Sequence, residues 1–542
     1  MDRRRILDRL AAGRVARLSE PILRRSQPWR RYALVAVLGT VAVAVRVWRF
    51  GDVPPGLNID EVSGAYDAFA LLQRGIDRSG LSYPAIFTAY GSGMHPLAYY
   101  LAMPFLFLFG IHPWTIRMPA LLVNLVSLPA FALLGEKAGG RRMAILCFFL
   151  LAVAPWHVLV SRFNQESTSF PAFFLLGVVL LVVSLEQRRL LPVTMLVFGL
   201  CLYVYGPALF LIPTFLALSI PLLVARGRLR PRDVLAGLAV LGIVAIPIGA
   251  FLAVNQFGLA TMRLPALSIP RLSAAPRYQT ASILFEPGGV RHAIANLGSL
   301  CGLLWTQEDT LVMNSVPGYG ALYLWTLPVI VLGIAVALRS LALGIANDVV
   351  TLVVIWLVSG ICLAAVSAPT LNRVNVLYPA LLFFAAMALD ALRRSRAIFA
   401  TLVGAYVVSF AGFVTAYFGT YPAQIGPFFY DSLAEAIDEA SAATSGTVCV
   451  THHVSVYRLS YVYILLAQRI DPRAFLETAR FEDSGPGFQS VTSFGRYVVG
   501  LDNCRGRSIG AYVIDPSESL RLPRAEYAVT PFTHYLVAVP RP

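Results

Sequence analysis

Residues 33–50, ALVAVLGTVAVAVRVWRF, run directly into residues 51–66, GDVPPGLNIDEVSGAY. The first stretch is apolar over about the 17 to 25 residues that a bilayer core requires. The second is a Gly/Pro-rich connection that opens onto two adjacent carboxylates, Asp60 and Glu61. A chain that crosses a membrane and at once presents paired acids places its polar chemistry at one membrane face. That junction sets the reading of everything else.

Working outward, comparable apolar runs recur near 117–135, 142–158, 168–185, 190–206, 208–224, 233–253, 320–338, 348–367, 373–390 and 398–417. Across 542 residues the chain is 57% hydrophobic and only 13% charged, with a mean hydropathy of +0.68. No single soluble core hides that much apolar surface. The formal net charge of +15 lies in short arginine clusters between the runs, with one lysine, Lys137. No basic domain with interleaved aromatics stands apart, so nucleic acid is not an expected partner and the bilayer is.

The positive clusters orient the runs. Lys137, Arg141 and Arg142; Arg188 and Arg189; Arg226, Arg228, Arg230 and Arg232; Arg339; and Arg393, Arg394 and Arg396 all fall on one side if the chain crosses eleven times. The arginine-rich stretch 1–32 joins them as a retained cytoplasmic tail, since no small-residue cleavage site follows a short apolar segment. The opposite, outer face then receives loop 51–116, connections 159–167, 206–207 and 368–372, loop 254–319 and everything from 418 onward. Residues 96–110 are too short to span comfortably and are expected to lie in the outer interface.

From about Tyr421 the composition changes. Helical patterning over 431–443 gives way to β-like runs at 447–450, 497–501, 511–514 and 527–529, separated by Gly, Pro and Asp. The expected fold is a polytopic α-helical membrane protein with about 11 to 13 transmembrane helices and a small C-terminal outer α/β domain. Its divisions are 1–32, 33–417 and 418–542. The six cysteines show no CxxC pair and no Cys/His ligand spacing. Cys449 and Cys504 share the outer tail, where an oxidising compartment permits a disulfide that sequence alone does not decide.

Five outer connections carry the polar groups. Asp60 and Glu61 repel one another unless a cation or a proton intervenes; a helix N-cap is the plain alternative for Asp60. Gly91-Ser92-Gly93-Met94-His95-Pro96-Leu97 delivers a histidine to the interfacial segment, where a solvated surface role is the alternative. Ser161-Arg162-Phe163-Asn164-Gln165-Glu166 adds an arginine and a third acid, against interfacial anchoring and helix-start roles. Tyr203 and Tyr205 flank a Gly206-Pro207 turn and also suit an aromatic belt. Glu308 and Asp309 form a second acidic cluster, and Asn372-Arg373 could offer a guanidinium fork to a phosphate. A carboxylate here can accept the proton of an attacking hydroxyl while arginine or histidine stabilises a departing phosphate.

At these residues the sequence resembles the GT-C superfamily of membrane glycosyltransferases, particularly the protein O-mannosyltransferases and the lipid A aminoarabinose transferase. Asp60-Glu61 is similar to that family's first-loop acidic motif, and His95-Pro96-Leu97 to its His-Pro-Pro-Leu element. Arg162 and Glu166 match an Arg-then-acid pattern in the next outer loop, and Tyr203-Val204-Tyr205-Gly206-Pro207 a tyrosine-rich turn. The resemblance covers roughly the first 210 residues and implies a GT-C fold. It implies catalytic acids at Asp60, the base, with Glu61 and Glu166, and a donor or phosphate side formed by His95, Arg162, Tyr203 and Tyr205, to which Arg373 is added. The implied reaction moves a hexosyl or pentosyl group from a polyprenyl-phosphate sugar to a glycolipid, glycan or protein, at the periplasmic or exterior face of the cytoplasmic membrane. No cofactor is expected, a divalent ion held by the acids stays open, and no nucleotide-sugar site is implied.

A transporter or lipid flippase is the rival reading. It predicts charged or broken segments at mid-membrane and two related halves, whereas the acids here cluster in outer loops. A membrane scaffold with an outer sensing domain would leave the acids of loop 51–116 replaceable. A late-loop polymerase or ligase would place its richest polar loop near the end of the chain.

Overall fold

The structure is a computed structural model that describes residues 28–276, 282–283, 288–309, 311–454, 459–483, 489–522 and 525–541. The basic residues Arg3 to Arg25 lie outside the described residues. The chain divides at Ala44. Before that point the described part is the start of a helix, Pro28–Val47, that carries the first apolar run.

Among the described residues, eight helices are long and apolar enough to cross a membrane: Pro113–Val153, Glu166–Ser184, Ala208–Ala225, Pro231–Gln256, Leu324–Ala342, Asp348–Val366, Leu371–Leu392 and Arg396–Gly419. Eight is fewer than the eleven to thirteen expected, for identifiable reasons. The runs 117–135 and 142–158 are two helices within the stretch Pro113–Val153, separated by non-helical backbone at Gly139 and Gly140; Gly135 lies against Met143 and Cys147, so the chain turns back there, and the φ of 74° at Gly140 suits a residue without Cβ. The first run contributes only the shorter stretch Val35–Val47. The run 190–206 forms a helix of 11 residues, Leu191–Cys201, before turning. Only 11% of the Arg396–Gly419 window is buried within the protein. An apolar helix so exposed requires a lipid solvent.

Residues 96–110 form two short helices, Leu97–Tyr100 and Met103–Phe109, with Phe107 and Leu108 exposed. The loop 254–319 contains a hairpin, β1 (Met262–Leu264) with β2 (Leu267–Ile269), and a helix, Gly289–Thr306, that hydropathy did not reveal.

The C-terminal region is an α/β unit on a seven-stranded mixed sheet. Its strands are β3 (Thr447–Val450), β4 (Arg480–Asp483), β5 (Gln489–Phe494), β6 (Tyr497–Val499), β7 (Ile509–Ile514), β8 (Tyr527–Pro531) and β9 (Leu536–Pro540), in the order β4-β5-β6-β3-β7-β9-β8. β3 runs parallel to both β6 and β7, and the other pairings are antiparallel. Cys449 in β3 is bonded to Cys504, just beyond β6.

Loop 51–116 is built into this unit. One hydrophobic cluster contains Val62, Ala65 and Tyr66 from helix Ile59–Arg74 together with Ile437, Val448, Ile464 and Val513 from the C-terminal unit. Tyr463 donates to the Leu57 carbonyl at 2.8 Å and Tyr66 to the Ile470 carbonyl at 2.8 Å. The helix bearing Asp60 is therefore fixed by a tail more than four hundred residues away in sequence. Behind it Asp67 and Asp77 flank buried Arg78, whose guanidinium also covers the rings of Tyr90 and Tyr461. Burial, reinforced by the charge of Asp67, pushes the Asp77 carboxyl up to about 7.

Candidate active site

Helix Ile59–Arg74 begins with a reciprocal cap. The Asn58 side chain accepts from the Asp60 N–H at 3.0 Å, and Glu61 Oε2 accepts from the Asn58 N–H at 2.9 Å. Asn-x-x-Glu is the polar frame of a capping box. The cap separates the fates of the two adjacent acids.

Glu61 turns inward and is fully buried. Arg117 grips it bidentately, Nε to Oε1 at 2.9 Å and Nη2 to Oε2 at 3.1 Å, and the Asn164 N–H donates to Oε1 at 2.8 Å. The remaining donors of Arg117 bind the carbonyls of Gly51, Pro54 and Gly56. Glu61 thus anchors the 51–56 connection through Arg117, a residue sequence reading passed over because it opens an apolar run.

Asp60, half-buried, turns the other way. Its Oδ2 accepts from Gln165 Nε2 at 2.7 Å. Its backbone carbonyl accepts from the Tyr99 hydroxyl at 2.9 Å. Gln165 and Glu166 face a cavity of about 700 Å³. Asp60 does not line it, and the Gln165 amide is the group between them.

The polar mouth of this cavity brings together His95, Gln165, Glu166, Tyr205, Asn372 and Arg373. Four connections distant in sequence supply them. Glu166 Oε1 accepts from the His95 backbone N–H at 2.5 Å and meets His95 Nδ1 at 2.8 Å. Arg373 donates from Nη1 to the Ala368 carbonyl, which steadies its turn. From behind, Asp309 accepts from the Leu371 N–H at 2.8 Å, so the second acidic cluster braces the Arg373 turn. The opposite wall is apolar: Leu209, Phe210, Ile248, Phe251, Leu363 and Val366, all from membrane-length helices. A charged mouth above a greasy wall suits an amphiphile with an anionic head.

Two expected donor-side residues stand elsewhere. Arg162 is fully buried, and its guanidinium donates to the carbonyls of Val45, Arg46, Trp48, Arg49 and Val53. It caps the C-terminal end of helix Pro28–Val47, where orphan carbonyls and the helix dipole both favour a cation. Tyr203 donates to the Val244 carbonyl at 2.6 Å and is spent in helix packing. The cavity also shows residues that sequence reading passed over: Gln165, Ser92, Gln256, Ser282 and Ser367. Gln256 carried a usable signal, since the amide pair Asn255-Gln256 closes an apolar run. Among the described residues, no group of three or more His, Cys, Asp or Glu side chains is placed to hold a metal ion.

The fold is similar to known structures. The fold matches ArnT from Cupriavidus metallidurans bound to undecaprenyl phosphate with a TM-score of 0.57 at 13% identity, covering 93% of this chain and 98% of that one. The apo form of the same protein matches at 0.55 and 13%, covering 94% and 98%. The Archaeoglobus fulgidus oligosaccharyltransferase in the apo form matches at 0.51 and 13%, covering 91% of this chain and 70% of that one. Residues 94–251 match the model of the dolichyl-phosphate-mannose-protein mannosyltransferase family. No curated protein sequence matches the chain. The chain shares the fold of these proteins, and the segment from the His95 loop into the helix Pro231–Gln256 matches the dolichyl-phosphate-mannose-protein mannosyltransferase family model.

Proposed function

We propose that the protein transfers a sugar from a polyprenyl-phosphate-linked donor to an acceptor hydroxyl at the outer face of the cytoplasmic membrane. One observation carries this reading: a single cavity joins an apolar wall of membrane-length helices to a mouth holding Arg373, His95 and Glu166, one hydrogen bond from Asp60. The polyprenyl chain would lie along Phe210, Phe251 and Leu363, with its phosphate near Arg373. Sequence likeness to the mannosyltransferase family over residues 94–251, and fold likeness to a protein with undecaprenyl phosphate bound, support the donor class.

In this reading Asp60 is the base. Its carboxylate accepts one N–H from Gln165, which favours the ionised form. An acceptor hydroxyl entering beside Gln165 would attack the anomeric carbon from the face opposite the phosphate, pass its proton to Asp60 and invert the configuration. The sugar is a hexose or pentose, and the acceptor a glycolipid, glycan or protein. The test is transfer of labelled sugar from a panel of purified polyprenyl-phosphate sugars, with Asp60→Asn beside the wild type.

A further inference from the structure

The charged groups lining the cavity come from three elements: His95 from the first outer loop, Glu166 from the start of helix Glu166–Ser184, and Arg373 from the turn before helix Tyr378–Leu392. Tyr205 faces them from the 202–207 turn, and Asp60 stands behind Gln165. Glu166 and His95 are a built pair. One carboxylate oxygen takes both the backbone N–H of His95 and its Nδ1, and the carboxylate is only 5% exposed against 17% for the ring. Pairing on Nδ1 leaves Nε2 as the ring nitrogen that Glu166 does not engage, while the Cε1 edge lies against Gly206.

Resting on the glycosyltransferase reading, we propose that the His95–Glu166 pair is the general acid that protonates the departing phosphate. The charge balance of the cavity argues for it. Before reaction the donor phosphodiester brings one negative charge, Glu166 a second and Arg373 a single positive one. A buried carboxylate is held best by a cationic partner, so the ring carrying both protons is the state that neutralises Glu166. When the bond from the anomeric carbon to the phosphate oxygen breaks, its electron pair passes to that oxygen. A second negative charge would then face the apolar wall.

Transfer of the Nε2 proton to that oxygen yields the phosphate monoanion and a neutral imidazole whose Nδ1–H still donates to Glu166. On the opposite face the acceptor oxygen forms the new bond to the anomeric carbon and its proton goes to Asp60. One proton leaves His95 and one arrives at Asp60, so exchange with solvent resets both. A positioned acid of this kind contributes about 10² to 10⁴ in rate.

The experiment is the pH dependence of kcat and of donor KM for His95→Gln and Glu166→Gln against the wild type, with assembly of each variant checked by size exclusion. The wild type should lose rate on the alkaline side. His95→Gln should lower kcat about a hundredfold or more, leave donor KM within a few-fold, and abolish the alkaline limb. Glu166→Gln should keep the limb but move it to lower pH, because the cationic ring loses its counter-charge. An intact alkaline limb in His95→Gln, with donor KM raised and kcat unchanged, overturns the proposal and leaves His95 as a binding contact. If His95→Gln does not assemble, an unmoved limb in Glu166→Gln overturns it instead. A wild type that transfers from no donor overturns the underlying reading as well, and so differs from failure of the acid alone.

Discussion

Asp60 and Glu61 are neighbours in sequence, yet the cap at Asn58 sends one carboxylate toward the cavity and buries the other under Arg117. The difference matters for mutagenesis. Asp60→Asn keeps shape and removes only basicity, so transfer should fall by at least about 10² while the protein stays assembled. Arg373→Ala removes the arginine at the cavity mouth and should raise donor KM or Kd more than it lowers kcat; an unchanged donor affinity in a lipid-phosphate titration would take Arg373 out of the site. The sequence made Asp60, His95, Glu166 and Arg373 legible because each interrupts an apolar pattern in an outer connection, and the cavity or its edge receives all four. Glu61 and Arg162 lie away from the cavity because a motif records which polar residues sit near one another, not which way each side chain turns: Glu61 pairs with Arg117 and Arg162 with backbone carbonyls.

Arg162 belongs to the scale of the element. It joins connection 159–167 to the carbonyls that end helix Pro28–Val47, and thereby fixes the start of loop 51–116. Arg162→Met should leave those buried carbonyls unsatisfied and cost roughly 3 kcal/mol or more. A thermal melt in detergent should show the loss, while donor KM of the folded fraction stays near wild type. A selective rise in donor KM without a fall in melting temperature would restore Arg162 to the donor side. Element existence was read well: apolar runs became helices, and the four β-like runs of the tail became strands. Gly139 and Gly140 break the chain into two helices, as the gap between the apolar runs suggests, whereas Leu191–Cys201 is shorter than its run because the chain turns after Cys201. Helix Gly289–Thr306 escaped because glycine, serine and asparagine dilute its apolar face.

At the scale of the whole molecule, the first outer loop and the C-terminal sheet share a core, so the tail orients the helix that carries the candidate base. The Asp67–Arg78–Asp77 cluster lies beneath that junction and should make it pH-sensitive. Asp77 holds a proton in the folded protein up to about pH 7, whereas the unfolded chain releases it near the ordinary carboxylate value. Its contribution to stability is therefore full below the unfolded value and is lost as pH rises toward 7. Asp77→Asn, which keeps the oxygen that accepts from Ser79 and Leu81, should flatten the fall in melting temperature over that window. An unchanged slope would show that Asp77 does not titrate there. This long-range packing was invisible in the sequence because no local pattern links residues 62–66 to 437–513.

The most direct test of the central claim is transfer of radiolabelled sugar from purified polyprenyl-phosphate sugars to membrane extract, by the wild type and by Asp60→Asn side by side. The account predicts labelled product with the wild type and none above background with the variant. Wild-type protein that moves no label from any donor, yet carries lipid or solute across vesicles, would contradict it and make the cavity a transport path.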